Sequence, residues 1–364
     1  DLHQIASTNN ARGYMSSSEM ITHFGLNNRN KVDSIVINWN NLQSTSITNP
    51  EINQKIIVDY KKESKRKRTI TTTKTNNSGT LSIPYTHQEN QFDDYKKQVL
   101  LPHKLSTNGP FITKADFNKD GLVDLFIGGA ADQSSELFIQ NKKGEFTLSS
   151  QPVFKNHRKH EDLMSVAFDL ENDGDLDIYV ASGGSEFDED TKNNIDRIYI
   201  NNGSGQFSNY KGNLSFTNFD SQCVVTGDYN NDSFADIFIG GRSKPGEYPN
   251  ASPSKIVINN AGILSDQSSL WNTSLKSLGM VTDGQAKDFD QDGDLDIIVV
   301  GEWMPITVFR NTNGTFRNVS SKMNLDNSTG WWFSISEGDF DKDGDMDYVV
   351  GNLGLNYKYQ ANDD

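Results

Sequence analysis

Cysteine is almost absent: Cys223 stands alone among 364 residues, so no disulfide can close within the chain. Histidine is scarce as well, at six, and no HExxH, GxSxG, phosphate-loop or Cys–His signature occurs, so no familiar catalytic constellation is present. No segment is long and apolar enough to span a membrane as a helix. Basic residues are outnumbered, with 34 Lys and Arg against 49 Asp and Glu, and the resulting charge of −15 argues against nucleic acid as a partner. Whatever staples this chain must therefore be something other than a disulfide.

The acidic residues supply a candidate. A nonapeptide occurs five times: DFNKDGLVD from Asp116, DLENDGDLD from Asp169, DYNNDSFAD from Asp228, DFDQDGDLD from Asp288 and DFDKDGDMD from Asp339. Oxygen-bearing residues at positions 1, 3, 5 and 9, with Gly usually at 6 for a sharp turn, suit a hard cation that takes about six to eight oxygens. The expected side-chain ligands are Asp116, Asn118, Asp120 and Asp124; Asp169, Glu171, Asp173 and Asp177; Asp228, Asn230, Asp232 and Asp236; Asp288, Asp290, Asp292 and Asp296; and Asp339, Asp341, Asp343 and Asp347. Position 7 is expected to ligate through its main-chain carbonyl, so Leu122, Asp175, Phe234, Asp294 and Asp345 can differ in side chain.

An EF-hand would continue into a helix, but here position 9 leads into LFIGG, IYVAS, IFIGG, IIVVG and YVVGN, which favour strands. Five copies with Asp always at positions 1, 5 and 9 outweigh the alternative of a solvated acidic hairpin. The Asp228 copy, with Asn230, Ser233 in place of Gly and three carboxylates, is expected to bind most weakly, and the Asp116 copy next. The five copies hold 21 of the 49 acidic residues, which repel one another unless a cation intervenes. Five Ca²⁺ ions would bring the net charge to about −5, so calcium is expected to be structural. Extracellular calcium modules bind with Kd of about 10⁻⁴ to 10⁻³ M, which suits the outside of a cell.

The copies start 53, 59, 60 and 51 residues apart, a period that signals a propeller or solenoid. Between them recurs a strand, a turn and an apolar residue, as in ELFIQNKKGEF from Glu136, RIYINNGSGQF from Arg197, KIVINNAGIL from Lys255 and TVFRNTNGTF from Thr307. With one strand before each acidic loop and one after it, each unit contains four strands. Radially repeated four-stranded sheets make an all-β propeller.

These repeats resemble the FG-GAP or VCBS type of calcium-binding blade found in integrin α-chain propellers and bacterial surface proteins, over roughly residues 80 to 364. The resemblance implies about seven blades, of which five are recognisable here and the last stops before its closing hairpin. A fragment, or a ring completed by another segment, is therefore expected. Residues 1 to 60 are similar to the ASPIC/UnbV module through Gly13-Tyr14, His23-Phe24-Gly25-Leu26, Val32-Asp33 and Trp39, although Asn40, Asn41 and Leu42 replace the family's Trp-Pro-x-Gly turn. This module is expected to be truncated at its start, with two strands in VDSIVINW and QKIIVDY. Residues 61 to 80, KKESKRKRTITTTKTNNSGT, read as a solvated linker and 81 to 364 as the propeller.

Other features weigh less. Cys223 is expected to be buried and inert, and His157 with His160 to form a surface turn and not half a metal site. Glu302 in GEWMP is a weak candidate acid. Trp303, Trp331 and Trp332 either fill space between blades or present a binding surface. The resulting expectation is a non-enzymatic, calcium-stabilised recognition or adhesion module at a bacterial surface, binding protein or glycan. The resemblance adds an outer-membrane transporter of the TonB-dependent kind, or its surface lipoprotein, as a partner. Two competing readings are a calcium-dependent polysaccharide lyase and a purely architectural subunit.

Overall fold

The computed structural model describes residues 4, 21–39, 43–60, 66–67, 83–188, 191–271, 273–342, 346–354 and 357. The chain divides into two compact units, Asp1–Thr80 and Leu81–Asp364.

In the first unit, β1 (Ser34–Asn38) pairs antiparallel with β2 (Gln43–Thr48), and β3 (Arg66–Lys67) adds to the far side of β2. The strand expected in QKIIVDY does not form: its Ile57 is 81% exposed, and Tyr60 instead sets its ring against the edge of Trp39 at 5.1 Å. The polar stretch QSTSIT takes its place because it follows β1 directly, and closing a short hairpin costs less entropy than reaching a more distant partner. Arg66 and Lys67 are thus sheet residues and not linker. Gly13, Tyr14, residues 40–42 and the remainder of 61–80 lie outside the described residues.

The second unit is nearly all β, and no α-helix among the described residues exceeds five residues. Its first blade is β4 (Ile112–Ala115), β5 (Asp124–Ile127), β6 (Glu136–Gln140) and β7 (Phe146–Ser149), paired antiparallel in sequence order. The second is β8 (Asp162–Phe168), β9 (Asp177–Ser182), β10 (Arg197–Asn201) and β11 (Phe207–Asn209). The third is β12 (Ser221–Gly227), β13 (Asp236–Gly241), β14 (Lys255–Asn260) and β15 (Ile263–Asp266). The fourth is β16 (Met280–Lys287), β17 (Asp296–Met304), β18 (Thr307–Arg310) and β19 (Arg317–Asn318), and β20 (Gly330–Gly338) with β21 (Asp347–Asn352) begins a fifth. The inner strands β4, β8, β12, β16 and β20 neighbour one another in turn, which stacks the blades face to face.

That stacking explains why the second strand of each of the first four blades is apolar at nearly every position: both of its faces are buried. Ile178 and Val180 of β9 pack with Phe117, Phe126 and Leu137 of the first blade, while Tyr179 and Ala181 point the other way, to Val224, Ile237 and Ile239 of the third. Phe238 of β13 in turn meets Val281 and Val299 of the fourth blade. Cys223 is fully buried in this last layer, and burial pushes its thiol up, consistent with an inert packing role.

A polar device joins the layers. Asn201, Asn259 and Asn311 end the third strands of their blades, and each is buried. Asn259 Nδ2 donates to Leu170 O of the preceding blade at 2.8 Å and to Ala235 O of its own at 3.1 Å. Asn201 does the same with Phe117 O and Leu176 O, and Asn311 with Tyr229 O and Leu295 O. Removing one of these amides strands two buried carbonyls, at about 1–3 kcal/mol each. Asn259→Ala should therefore lower the unfolding free energy by about 2–4 kcal/mol in urea titrations, whereas Ala at the neighbouring, exposed Asn260 should change it by about 0.5 kcal/mol or less; equal effects would contradict the latch.

Candidate metal loops and an aromatic cleft

Each acidic loop joins a blade's first strand to its second, and the backbone is folded by the acids themselves. In the first copy Asp116 accepts from Asp120 N at 3.1 Å and Gly121 N at 2.8 Å, and Asp120 accepts from Leu122 N at 2.9 Å. The same bonds recur at Asp169 and Asp173, at Asp228 and Asp232, and at Asp288 and Asp292. In the first four loops two residues take left-handed backbone angles, at position 4 as well as position 6. In the third copy Ser233 adopts φ 73° without glycine's freedom, which makes this loop the strained one.

The ninth residue is the anchor. Asp124, Asp177, Asp236 and Asp296 are buried, and each carboxylate accepts from the main chain of position 2 and from the end of the third strand. Two carboxylate oxygens thus bind a loop's entry and the adjacent hairpin to one point.

Positions 1, 3 and 9 converge: carboxylate oxygens of Asp288, Asp290 and Asp296 lie within 4.8 Å of one another, as do those of Asp339, Asp341 and Asp347. This all-oxygen, anionic donor set fits a hard divalent cation. In the first and third copies position 3 is Asn118 or Asn230, whose amide donates to Asp120 or Asp232. Glu171 takes the position in the second copy and lifts the neighbouring Asp177 carboxyl further. Asp292 faces the main chain and Arg310, which also reaches Asp290 at 2.5 Å, while Lys119 pairs with Asp175 of the next loop. Asp294 accepts from Asn313 N and Asn231 Nδ2, so its side chain serves packing between loops. Asp343 and Asp345 lie outside the described residues.

At the other end of the blades a strap, residues 83–111, crosses the turns between second and third strands. Tyr85 OH donates to Gly128 O of the first blade at 3.0 Å, and Lys97 reaches Asp188 of the second at 2.5 Å. Buried Asp94 accepts from Leu105 N, Ser106 N and Ser185 Oγ. Gln98 accepts from Tyr248 N of the third blade, and His103 contacts Arg242 at 2.9 Å and the Trp331 ring at 5.8 Å.

Beneath the strap lies a cleft of about 540 Å³ lined by Leu100, Pro102, Tyr248, Met280, Glu302 and Trp303, among others. Trp303 is 44% exposed, at φ 57°, with its ring stacked 4.7 Å from Trp331, which is 3% exposed. A large residue held in the left-handed region is strained, and such strain persists only where the surroundings enforce it. Trp303 Nε1 donates to Tyr248 OH at 2.7 Å. Glu302 is fully engaged, by Arg242 at 2.6 Å, by Trp331 Nε1 at 3.0 Å and by Tyr248 OH at 3.3 Å, so it is an ion-pair partner and not a free acid. Trp331 and Trp332 fill space, the latter bonded to Ser328 O, and only Trp303 offers a surface. His157 and His160 lie in a surface turn after Pro152–Asn156, half-buried and bound to Tyr199 OH and Asn193 O, with Arg158 and Lys159 exposed between them.

Comparison with known families settles what these blades are. The profile of the FG-GAP-like repeat matches residues 116–180, 169–239 and 288–350, together more than half of the chain. The chain belongs to the FG-GAP-like repeat proteins. A second profile, ASPIC and UnbV, matches residues 1–65. No curated protein matches the sequence. Among solved structures, the V. cholerae biofilm matrix protein Bap1 is similar at 14% identity and a TM-score of 0.36 over 70% of this chain, which spans 36% of that structure.

For this FG-GAP-like protein, the ninth aspartates predict a pH response. Burial, reinforced by neighbouring carboxylates, pushes Asp177 and Asp236 up to about 7 and Asp296 to about 6. A raised folded-state pKa means that the fold binds more protons than the unfolded chain, so the contribution is present below about pH 4 and is lost as pH rises through the folded values. In EDTA the urea midpoint should therefore fall between about pH 4 and 7, and a divalent cation should abolish the fall by displacing the proton; a midpoint that rises over this window without metal would contradict the assignment.

Proposed function

We propose that this protein is a non-enzymatic, calcium-stabilised recognition module of a bacterial cell-surface assembly, and that it docks a partner protein through the Trp303 cleft. The acidic loops hold Ca²⁺ and serve stability, because their carboxylates are tied to the loop backbone and to the hairpins beside them. The cleft serves recognition. The observation that carries this reading is Trp303 itself, a strained and exposed indole stacked on a buried one at the rim of an open, apolar cleft. Rigid aromatic residues at the edge of an apolar pocket are the usual anchors of protein interfaces.

A protein partner is favoured over a glycan by the rim. Leu100 is 77% exposed beside the cleft, and Pro102, Pro249, Ala251 and Met280 line it with few polar groups to read sugar hydroxyls. A lyase reading is disfavoured because Tyr248, the lining residue that could serve as a base, has its hydroxyl engaged by Trp303 Nε1 and Glu302, and Glu302 itself is held by three donors. Extracellular placement is supported by the family and suits calcium-binding loops, and an outer-membrane nutrient transporter or its lipoprotein is the partner that family analogy suggests.

The test uses isolated bacterial envelopes as the probe, in millimolar calcium. Trp303→Ala should weaken envelope binding at least tenfold with little change in melting temperature, and protease treatment of the envelopes should abolish binding while periodate does not. Binding that is unaffected by Trp303→Ala, or lost on periodate alone, would overturn the proposal.

A further inference from the structure

A second group of acids lies away from the nonapeptides, where the strap meets the first two blades. Glu161 precedes β8, Glu186 lies in the turn between β9 and β10, and Glu89 sits on the strap. Glu161 is 1% exposed; its Oε2 accepts from Ala131 N at 2.6 Å, and its Oε1 is buried with no partner. Both oxygens of Glu186 are buried without a partner as well. A methyl group placed on Gly184 would stand 2.6 Å from Glu186 Oε2 and 3.2 Å from Glu161 Cγ, so the two acids flank one glycine. On the strap, Glu89 Oε1 meets His87 Nε2 at 2.9 Å, while its Oε2 and Asn90 Oδ1 are buried and unpartnered. The turn that carries Ala131 also grips the strap: Gln88 N donates to Gln133 Oε1 at 2.9 Å, and Gln133 Nε2 donates to Thr86 O at 2.9 Å.

Among the described residues no cation pairs with Glu161 or Glu186. Arg197 is taken by Asp162, His87 by Glu89, Lys97 by Asp188 and Lys159 by Asp132. His160 is bonded to Asn193 O and held neutral by burial and by Arg197. The remaining groups that face the pair are acids: Glu89 and Asp162 act on Glu161, and Asp94, Glu89 and Asp220 act on Glu186. An ionised carboxylate buried without a donor forfeits its hydration, and the neutral acid loses far less. Burial, then the charge of Glu186, pushes Glu161 from the ordinary 4.5 up to about 9, and burial, then Asp94 and Glu89, pushes Glu186 up to about 7.

We infer that the strap is a pH-released clasp, docked on the first two blades while Glu161 and Glu186 carry protons and loosened as they ionise against Glu89 and Asp94. Both acids hold their protons more tightly under the strap than in water, so docking is strongest below about pH 4.5 and weakens as pH rises to the docked values. Each acid that ionises on release raises the opening equilibrium by up to about tenfold per pH unit inside this window. The same strap carries Leu100 and Pro102, so loosening withdraws one wall of the cleft, and it does so whether or not the cleft binds a protein.

The experiment follows hydrogen exchange of the whole protein in millimolar calcium at pH 6 and pH 9, with the protection of each amide referred to its intrinsic rate at that pH. The reporters are the Gln88, Leu105 and Ser106 amides of the strap, and the paired amides of β13 are the control. Strap protection should fall about tenfold or more from pH 6 to pH 9 while that of β13 changes less than about threefold. Glu161→Gln and Glu186→Gln each replace a titrating acid with a neutral amide, and the two together should shrink the fall to about threefold or less, each alone removing part of it. Trp303→Ala should leave the fall as it is in the parent, which separates the clasp from binding in the cleft. Strap protection in the parent that is constant across this range, or a fall that β13 shares or that the Gln variants retain in full, would overturn the proposal.

Discussion

The structure depends on one unfavourable placement, a carboxylate buried at the start of the second strand in each of the first four blades. Asp124, Asp177, Asp236 and Asp296 are shielded from water and sit beside other acids of their own loops. In return each holds the loop entry and the hairpin end through two main-chain bonds, and in three blades the residue that donates the hairpin bond is itself the asparagine that reaches the previous blade. Loop, hairpin and neighbouring blade therefore share one electrostatic condition. A cation in the loop satisfies it, and a proton satisfies it less well.

The two ends of the blades divide the work. At the loop end the polar groups hold the backbone and leave clustered carboxylate oxygens that could hold a cation. At the strap end the ion pairs Arg197–Asp162 and Arg242–Glu302 are buried, and a long segment ties successive blades together, so the apolar surface around Leu100 and Trp303 sits on a rigid base. Burying an ion pair adds little stability compared with apolar packing, but it fixes geometry when every partner is supplied. Arg242 illustrates this: Glu302, Gln222, His103 and the Phe333 ring all contact it. Trp303 is strained above this network and stays in place because Trp331 and Tyr248 hold it.

Much of this was legible in the order of residues. The period, the acidic loops and the double-faced apolar strands followed from local chemistry, as did the hairpins that fill each blade. Less local features did not. Asn201, Asn259 and Asn311 look like ordinary hairpin residues, and only their recurrence at the same place before each turn could have singled them out. Trp303 and Trp331 are equivalent in composition, yet an extra length of β17 that pairs with β20 buries one and exposes the other. In the N-terminal unit, apolar alternation in residues 54–60 suggested a strand, and the shorter connection to a polar segment prevailed.

The most direct test of the account is the melting temperature of the intact protein in excess EDTA and in about 2 mM calcium, with magnesium as the control. If ions at the acidic loops neutralise the buried aspartates, sites with Kd of about 10⁻⁴ M each contribute on the order of 1–2 kcal/mol. The melting temperature should then rise by about 10 °C or more in calcium and much less in magnesium. Identical melting in EDTA and calcium would mean that the aspartates are stabilised by protons and backbone bonds alone, and the account of this fold as metal-stapled would be wrong.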